Sequence, residues 1–232
     1  MRCISWRSRP PPARRFPLRD ELTVLGLRVD TRLTVVVTAT TMLLLFEEYR
    51  QLFSADTFGT SLRAGAADHV LLYFVIPAAL VVLVLRDSLR DYGFRLGDWR
   101  AGLRWAAGVL LVMSPILFFA AQTPEIQEYY SRTERSVLDV ILVSGIDLIG
   151  WEFMFRGFLF FGLYRAIGPS AVLIQAVPFA MAHIGKPELE SMTTFVGGVG
   201  FGWIAWRTDS WYYPFLIHWM LNIFVRLVAM SA

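Results

Sequence analysis

Residues 147–163 place charged groups inside an apolar and aromatic stretch; these groups are Asp147, Glu152 and Arg156. A charged group in hydrocarbon costs roughly 2.5–3.5 kcal/mol on insertion scales, so it needs a partner or a function. Glu152 and Arg156 are four residues apart with the acid first, which is the favoured spacing for an ion pair on a helix. The alternative on spacing alone is a structural ion pair that locks two helices together.

Two of the three histidines, His183 and His218, also fall in apolar segments. Asn222 follows His218 by one helical turn, so the two polar groups share a helix face. The third histidine, His69, opens another apolar segment and is expected to be an interfacial residue. Together with Glu152, the buried polar residues favour a functional site over isolated core histidines.

The composition predicts an all-α, polytopic transmembrane helical bundle. Hydrophobic residues make up 56% of the 232 residues and aromatic residues 15%, whereas a soluble domain has roughly 45–50% apolar residues. Several nearly uncharged segments are long enough to cross about 30 Å of hydrocarbon. The net charge of +3 does not indicate a nucleic-acid partner, because the arginines cluster at the ends of apolar segments. The single cysteine excludes an intramolecular disulfide.

Hydropathy predicts about seven spans, at residues 33–46, 69–85, 105–121, 136–164, 170–183, 191–206 and 211–230. Residues 1–32 contain eight arginines and are predicted to form a basic, partly disordered cytoplasmic tail. Residues 33–232 then form the transmembrane domain, with its motif-bearing core at 136–230. The excess of arginine in alternate loops places the N-terminus in the cytoplasm of a multi-pass inner-membrane protein.

The fourth and fifth spans form an antiparallel hairpin around the break at Gly168 and Pro169. By helical rise, Glu152 and His183 each lie about 22 Å from that turn, so their side chains are expected within ~6 Å of each other. His218 lies only about 12 Å from its own turn. Its depth relative to Glu152 therefore depends on a helix offset that the sequence leaves open.

Three motifs occur in order on separate spans: Glu152-xxx-Arg156, Phe179-xxx-His183 and His218-xxx-Asn222. In this arrangement, over about residues 86–230, the chain resembles the CPBP family. That family comprises type II CAAX prenyl endopeptidases, Abi proteins and bacteriocin-processing relatives. The resemblance implies an intramembrane endopeptidase that hydrolyses a membrane-associated protein or peptide, prenylated or not. Its partners would be that substrate and membrane lipids, without nucleic acid.

Peptide hydrolysis needs a base for water and donors for the tetrahedral oxyanion. With the resemblance, Glu152 is assigned as the base, and His183 orients the water and returns a proton to the leaving amine. His218 and Asn222 form the oxyanion hole, and Arg156 is the structural partner of the glutamate. One glutamate and two histidines could also bind zinc. No HExxH motif is present, and the resemblance favours a metal-free glutamic protease with no cofactor.

Trp151 stands where the family motif usually has the first of two glutamates, the one taken to activate water. Two interpretations follow: Glu152 acts from a rotated helix, which we favour, or the protein is an inactive membrane scaffold or immunity-type binding protein. A small transporter would more often show internal repeats, and none is found.

After His183, the polar residues Lys186, Glu188 and Glu190 are predicted to be a solvated loop, with a gate over the site as the alternative.

Overall fold

The computed structural model describes residues 21–131 and 136–231, whose regular secondary structure is helical apart from one hairpin. Strands β1 (Glu21–Val24) and β2 (Leu27–Asp30) pair antiparallel, with Glu21 opposite Asp30. This hairpin lies inside the segment predicted as an irregular tail. Residues 1–20 of that predicted tail lie outside the described residues. The all-α class is confirmed.

Most ends of the helical elements lie within three residues of the predicted spans, but the segments predicted to begin at residues 69 and 105 begin at Ser61 and Trp99. The helical elements are α1 (Thr31–Tyr49), α2 (Ala55–Phe58), α3 (Ser61–His69), a π-helix (Val70–Val75), α4 (Ile76–Ala79), a second π-helix (Leu80–Val84), a 3₁₀-helix (Leu89–Tyr92), α5 (Trp99–Ala120), α6 (Pro124–Ser131), α7 (Val137–Glu152), a third π-helix (Phe153–Leu159), α8 (Phe160–Ile167), a 3₁₀-helix (Gly168–Ser170), α9 (Ala171–Ile174), α10 (Ala176–Met181), α11 (Glu188–Thr208) and α12 (Tyr212–Ser231).

Local capping explains where the long helices begin and end. The side chains of Asp30, Asp98 and Ser136 accept hydrogen bonds from the first turns of α1, α5 and α7, which satisfies backbone donors that a helix start leaves free. Gly168 has a φ of 65°, a conformation that favours glycine. The predicted break after α8 is present there.

Three helices are long and apolar enough to cross a membrane by length and composition: Ser61–Val84, Trp99–Ala120 and Tyr212–Ser231. The helices at two of the remaining predicted spans carry more charged residues than these three helices do. Helix α1 carries Arg32, Glu47 and Glu48, and the helix from α7 to α8 carries the site charges themselves. The predicted count of seven spans stays a prediction.

Helix α7 packs against α3 and α12, and the π-helix after it packs against α1 and the first π-helix. All seven residues of the π-helix after α7 are buried. Gly150 makes the contact with α3 possible, since a Cβ there would lie 2.5 Å from the backbone oxygen of His69. On α11, a Cβ at Gly198 would lie 3.0 Å from Phe179, and one at Gly202 would lie 2.4 Å from Gln175. Gly198 and Gly202, which are four residues apart on α11, therefore let the segment that contains Gln175 and Phe179 lie close to this helix.

Candidate active site

Glu152 is the centre of the site, at the last residue of α7 and immediately before the π-helix. Its side chain is completely buried. Oε1 accepts a hydrogen bond from Arg156 Nη1 at 3.1 Å and lies 2.6 Å from His218 Nδ1. The predicted contact between Glu152 and Arg156 is therefore present. π-helical turns of this kind often occur at functional sites.

Arg156 is also fully buried, and its guanidinium carbon lies 3.7 Å from the ring centroid of Phe179. An arginine over an aromatic face gains electrostatic stabilisation. Within the described residues, Arg156 Nε and Nη2 and Glu152 Oε2 have no hydrogen-bond partner. Buried polar atoms are normally paired, so these three atoms are available for hydrogen bonds with a water or with a polar group of a substrate.

His218 lies on α12 and retains 15% of its side-chain exposure. Its ring centroid lies 5.5 Å from that of Phe201 and 6.1 Å from that of Phe179. Contact of Nδ1 with the carboxylate of Glu152 orients the ring and leaves Nε2 for a second partner. The helix offset that the sequence left open thus brings His218 to the depth of Glu152.

His183 follows α10 and is 4% exposed. Its Nδ1–H donates to the carbonyl oxygen of Phe179 at 2.8 Å, and its ring centroid lies 5.4 Å from that of Trp151. Among the described residues, Glu152 shares no hydrogen bond or ion pair with His183. Adjacent helix residues point about 100° apart, so Trp151 faces His183 while Glu152 faces α12.

Asn222 lies one turn beyond His218, but its hydrogen bond runs to another residue of α12. Its Oδ1 accepts from Arg226 Nε at 2.8 Å, and the Arg226 guanidinium lies 4.9 Å from the ring centroid of Tyr130. An amide whose oxygen is occupied in this way keeps its nitrogen as a donor for another group. Asn222 is therefore held as a hydrogen-bond donor.

The residues predicted as a solvated loop are joined to α6. Lys186 Nζ lies 3.0 Å from Glu190 Oε1, Tyr130 Oη donates to Glu190 Oε2 at 2.7 Å, and the Glu188 backbone N–H donates to Glu125 at 2.8 Å. Burial opposes the charge of Lys186, but Tyr130 and Glu190 outweigh burial and raise its pKa. These contacts connect the loop after His183 to a neighbouring helix.

Sequence reasoning missed a second polar cluster beside the first. His69 is not a solvated interfacial residue: its side chain is 13% exposed, and its Nδ1 lies 2.5 Å from Asp147 Oδ1. Its Nε2 lies 3.5 Å from Glu47 Oε1, and Tyr73 Oη donates to the same glutamate at 3.3 Å. Trp151 Nε1 lies 3.0 Å from His69 Nδ1. The sequence feature that could have revealed this cluster is Asp147, an acid within the same apolar stretch as Glu152.

Residues 133–224 match the family model for Rce1-like, type II CAAX prenyl endopeptidases. The resemblance predicted from the three motifs is confirmed. The matched segment contains every predicted site residue: Glu152, Arg156, His183, His218 and Asn222. No curated protein and no solved structure matches the chain. The apolar helices and the family match indicate an integral membrane protein.

Proposed function

Because residues 133–224 match the family model for Rce1-like, type II CAAX prenyl endopeptidases, we propose that this protein is an intramembrane endopeptidase. It hydrolyses a peptide bond of a membrane-associated protein or peptide. One observation carries the proposal: a buried carboxylate, Glu152, is paired with a partly exposed imidazole, His218, in an otherwise apolar bundle. Such a charge in a membrane protein is costly unless it serves a function.

The exposures of the two side chains favour a division of labour between them. Glu152 is completely buried, whereas His218 retains 15% of its side-chain exposure. Water therefore meets the imidazole, which takes its proton, while the carboxylate orients the ring and stabilises the imidazolium. The sequence-based assignments of Glu152 as the direct base and of His218 to the oxyanion hole are replaced by a proposal that Glu152 and His218 act as one base.

The remaining residues supply the other needs of peptide hydrolysis. Asn222, with its oxygen held by Arg226, donates a hydrogen bond to the oxyanion. His183 keeps the lone pair of Nε2 as an acceptor that orients the water, since its Nδ1–H is bonded to a backbone carbonyl. The proton that His218 takes from the water is returned by His218 to the leaving amine. Arg156 stabilises the carboxylate of Glu152.

No cofactor enters this scheme. In residues 21–131 and 136–231, no three His, Cys, Asp or Glu side chains are grouped so that they could hold a metal ion. The proposal therefore assigns no zinc site to Glu152, His183 and His218. We propose an inner-membrane protein with a cytoplasmic N-terminus, whose partners are its peptide substrate and lipids.

The test compares new protein termini in membranes that contain the full chain or its Glu152→Gln variant, identified by mass spectrometry. Termini that appear with the wild-type chain and are absent with Glu152→Gln identify substrates. Glu48→Gln, an exposed glutamate on α1, is the matched control and keeps the wild-type pattern. Cleavage also persists after treatment with a chelator. Identical termini with the wild type and Glu152→Gln would instead support the inactive scaffold.

A further inference from the structure

The second polar cluster touches the candidate active site through Trp151. The indole of Trp151 lies between two histidine rings, with centroid distances of 5.3 Å to His69 and 5.4 Å to His183. It also stacks on Phe155 at 5.5 Å. A change in the position of this indole therefore acts on His183 directly. The cluster reaches the proposed site by this contact.

Two groups compete for one nitrogen of His69. Its Nδ1 lies 2.5 Å from Asp147 Oδ1 and 3.0 Å from Trp151 Nε1. A ring nitrogen carries either a proton or a lone pair in its plane, so it donates to the carboxylate or accepts from the indole N–H. The same nitrogen cannot form both hydrogen bonds at once. The contact with Asp147 is the shorter and involves an acid, so it dominates when Nδ1 is protonated.

The opposite nitrogen supplies the alternative state. His69 Nε2 is buried and has no hydrogen-bond partner among the described residues, but it lies 3.5 Å from Glu47 Oε1. With its proton on Nε2, the neutral ring faces Glu47 and leaves Nδ1 free to accept from Trp151. With both nitrogens protonated, the ring faces both acids, and the indole N–H loses its acceptor.

The charged groups around His69 are Glu47 on α1 and Asp147 on α7. Along the chain, the ionisable neighbours are Asp68 on α3 and Tyr73 on the first π-helix. Asp68 accepts from the backbone N–H of Leu52, and the ring of Tyr73 stacks on His69 at 4.8 Å. These contacts hold the imidazole in place, so its response to a proton is a change of partner at Nδ1.

We infer that His69 is a positioning residue of the proposed protease: through the shared Nδ1, it sets the position of Trp151 and thereby of His183. This inference rests on the proposed function for its effect on cleavage. The coupling between His69 and Trp151 is measurable without any substrate. The two parts can therefore fail separately.

The test uses the full chain, labelled with 5-fluorotryptophan and reconstituted in lipid nanodiscs. The chain has eight tryptophans, and the ¹⁹F resonance absent from Trp151→Phe identifies that of Trp151. We expect this resonance to shift with pH as His69 changes charge. In His69→Gln it should not move with pH. The matched controls Glu48→Gln and Asp139→Asn, on the same helices as Glu47 and Asp147, should titrate as the wild type.

If His69→Gln does not fold, Asp147→Asn provides the second measurement, because it removes the charge that competes for Nδ1. The midpoint of the Trp151 titration should then move. On the substrates found by terminus mapping, Trp151→Phe and His69→Gln should lower kcat by up to about tenfold with KM unchanged, as loss of one orienting hydrogen bond implies. A resonance that is constant with pH, or that titrates equally without His69, overturns the inference. Absence of cleavage by the wild-type chain overturns only the proposed function.

Discussion

His218 Nδ1 lies 2.6 Å from Glu152 Oε1, although the two residues are 66 positions apart in the chain. The contact joins α12 to the end of α7 at a point where the carboxylate is fully buried. In this arrangement the carboxylate acts through the ring that it orients. Neither side chain retains the proposed base chemistry without the other.

This pairing makes a kinetic prediction about additivity. Glu152→Gln and His218→Gln should each lower cleavage by roughly 10²–10⁴-fold, the usual contribution of a general base. Because the two residues act as a unit, the double variant should be no slower than either single variant. Rates of the four proteins on one substrate provide the measurement. Multiplication of the two single effects would mean that the residues act independently.

A second prediction concerns the stability of the buried ion pair. Arg156→Met keeps the apolar stem but leaves the carboxylate of Glu152 buried without its arginine partner. It should lower the free energy of unfolding by about 3–5 kcal/mol. The double variant Glu152→Gln, Arg156→Met should be more stable than Arg156→Met alone, since no charge is then stranded.

Denaturant unfolding in detergent measures both values. The matched control is Arg63→Met, which breaks a surface pair with Asp139 whose arginine is 49% exposed, and it should have little effect. If Arg156→Met is as stable as the wild type, Arg156 does not stabilise Glu152.

The contact between Asn222 and Arg226 predicts an order of effects on rate. Asn222→Ala should slow cleavage by about 10²–10³-fold, as expected for loss of an oxyanion donor. Arg226→Met should slow it less, because the donor remains but its amide is no longer held at Oδ1. Steady-state kinetics of both variants give the comparison. Equal effects would indicate that Asn222 serves only to hold Arg226.

The predicted topology is testable with single cysteines. Cys3 is the only cysteine, so Cys3→Ser provides a cysteine-free chain. With seven spans and a cytoplasmic N-terminus, Ser88→Cys should react only from the cytoplasmic side and Thr57→Cys only from the opposite side. Both positions are exposed. Labelling of intact cells with a membrane-impermeant maleimide distinguishes them, and labelling of both positions from one side would contradict a crossing between them.

Much of the helix layout was predictable because it depends on local chemistry. Apolar runs and their capping residues mark the helices, and Gly168 with Pro169 marks the break after α8. The spacing of Glu152 and Arg156 sufficed for their contact, because residues four apart meet on any helix. Periodicity within one helix determines which side chains share its face, whatever surrounds it.

Only the tertiary structure decided which residues meet across helices. Periodicity contains no information about the rotation and axial offset of a neighbouring helix, which depend on side-chain packing. On α12 that packing includes Trp219, which lies against Gly145 and donates to the carbonyl of Ile141. This contact sets α12 beside α7 so that His218, rather than His183, bonds to Glu152. In the same way, the missing side chain of Gly150 lets α3 bring His69 against Trp151.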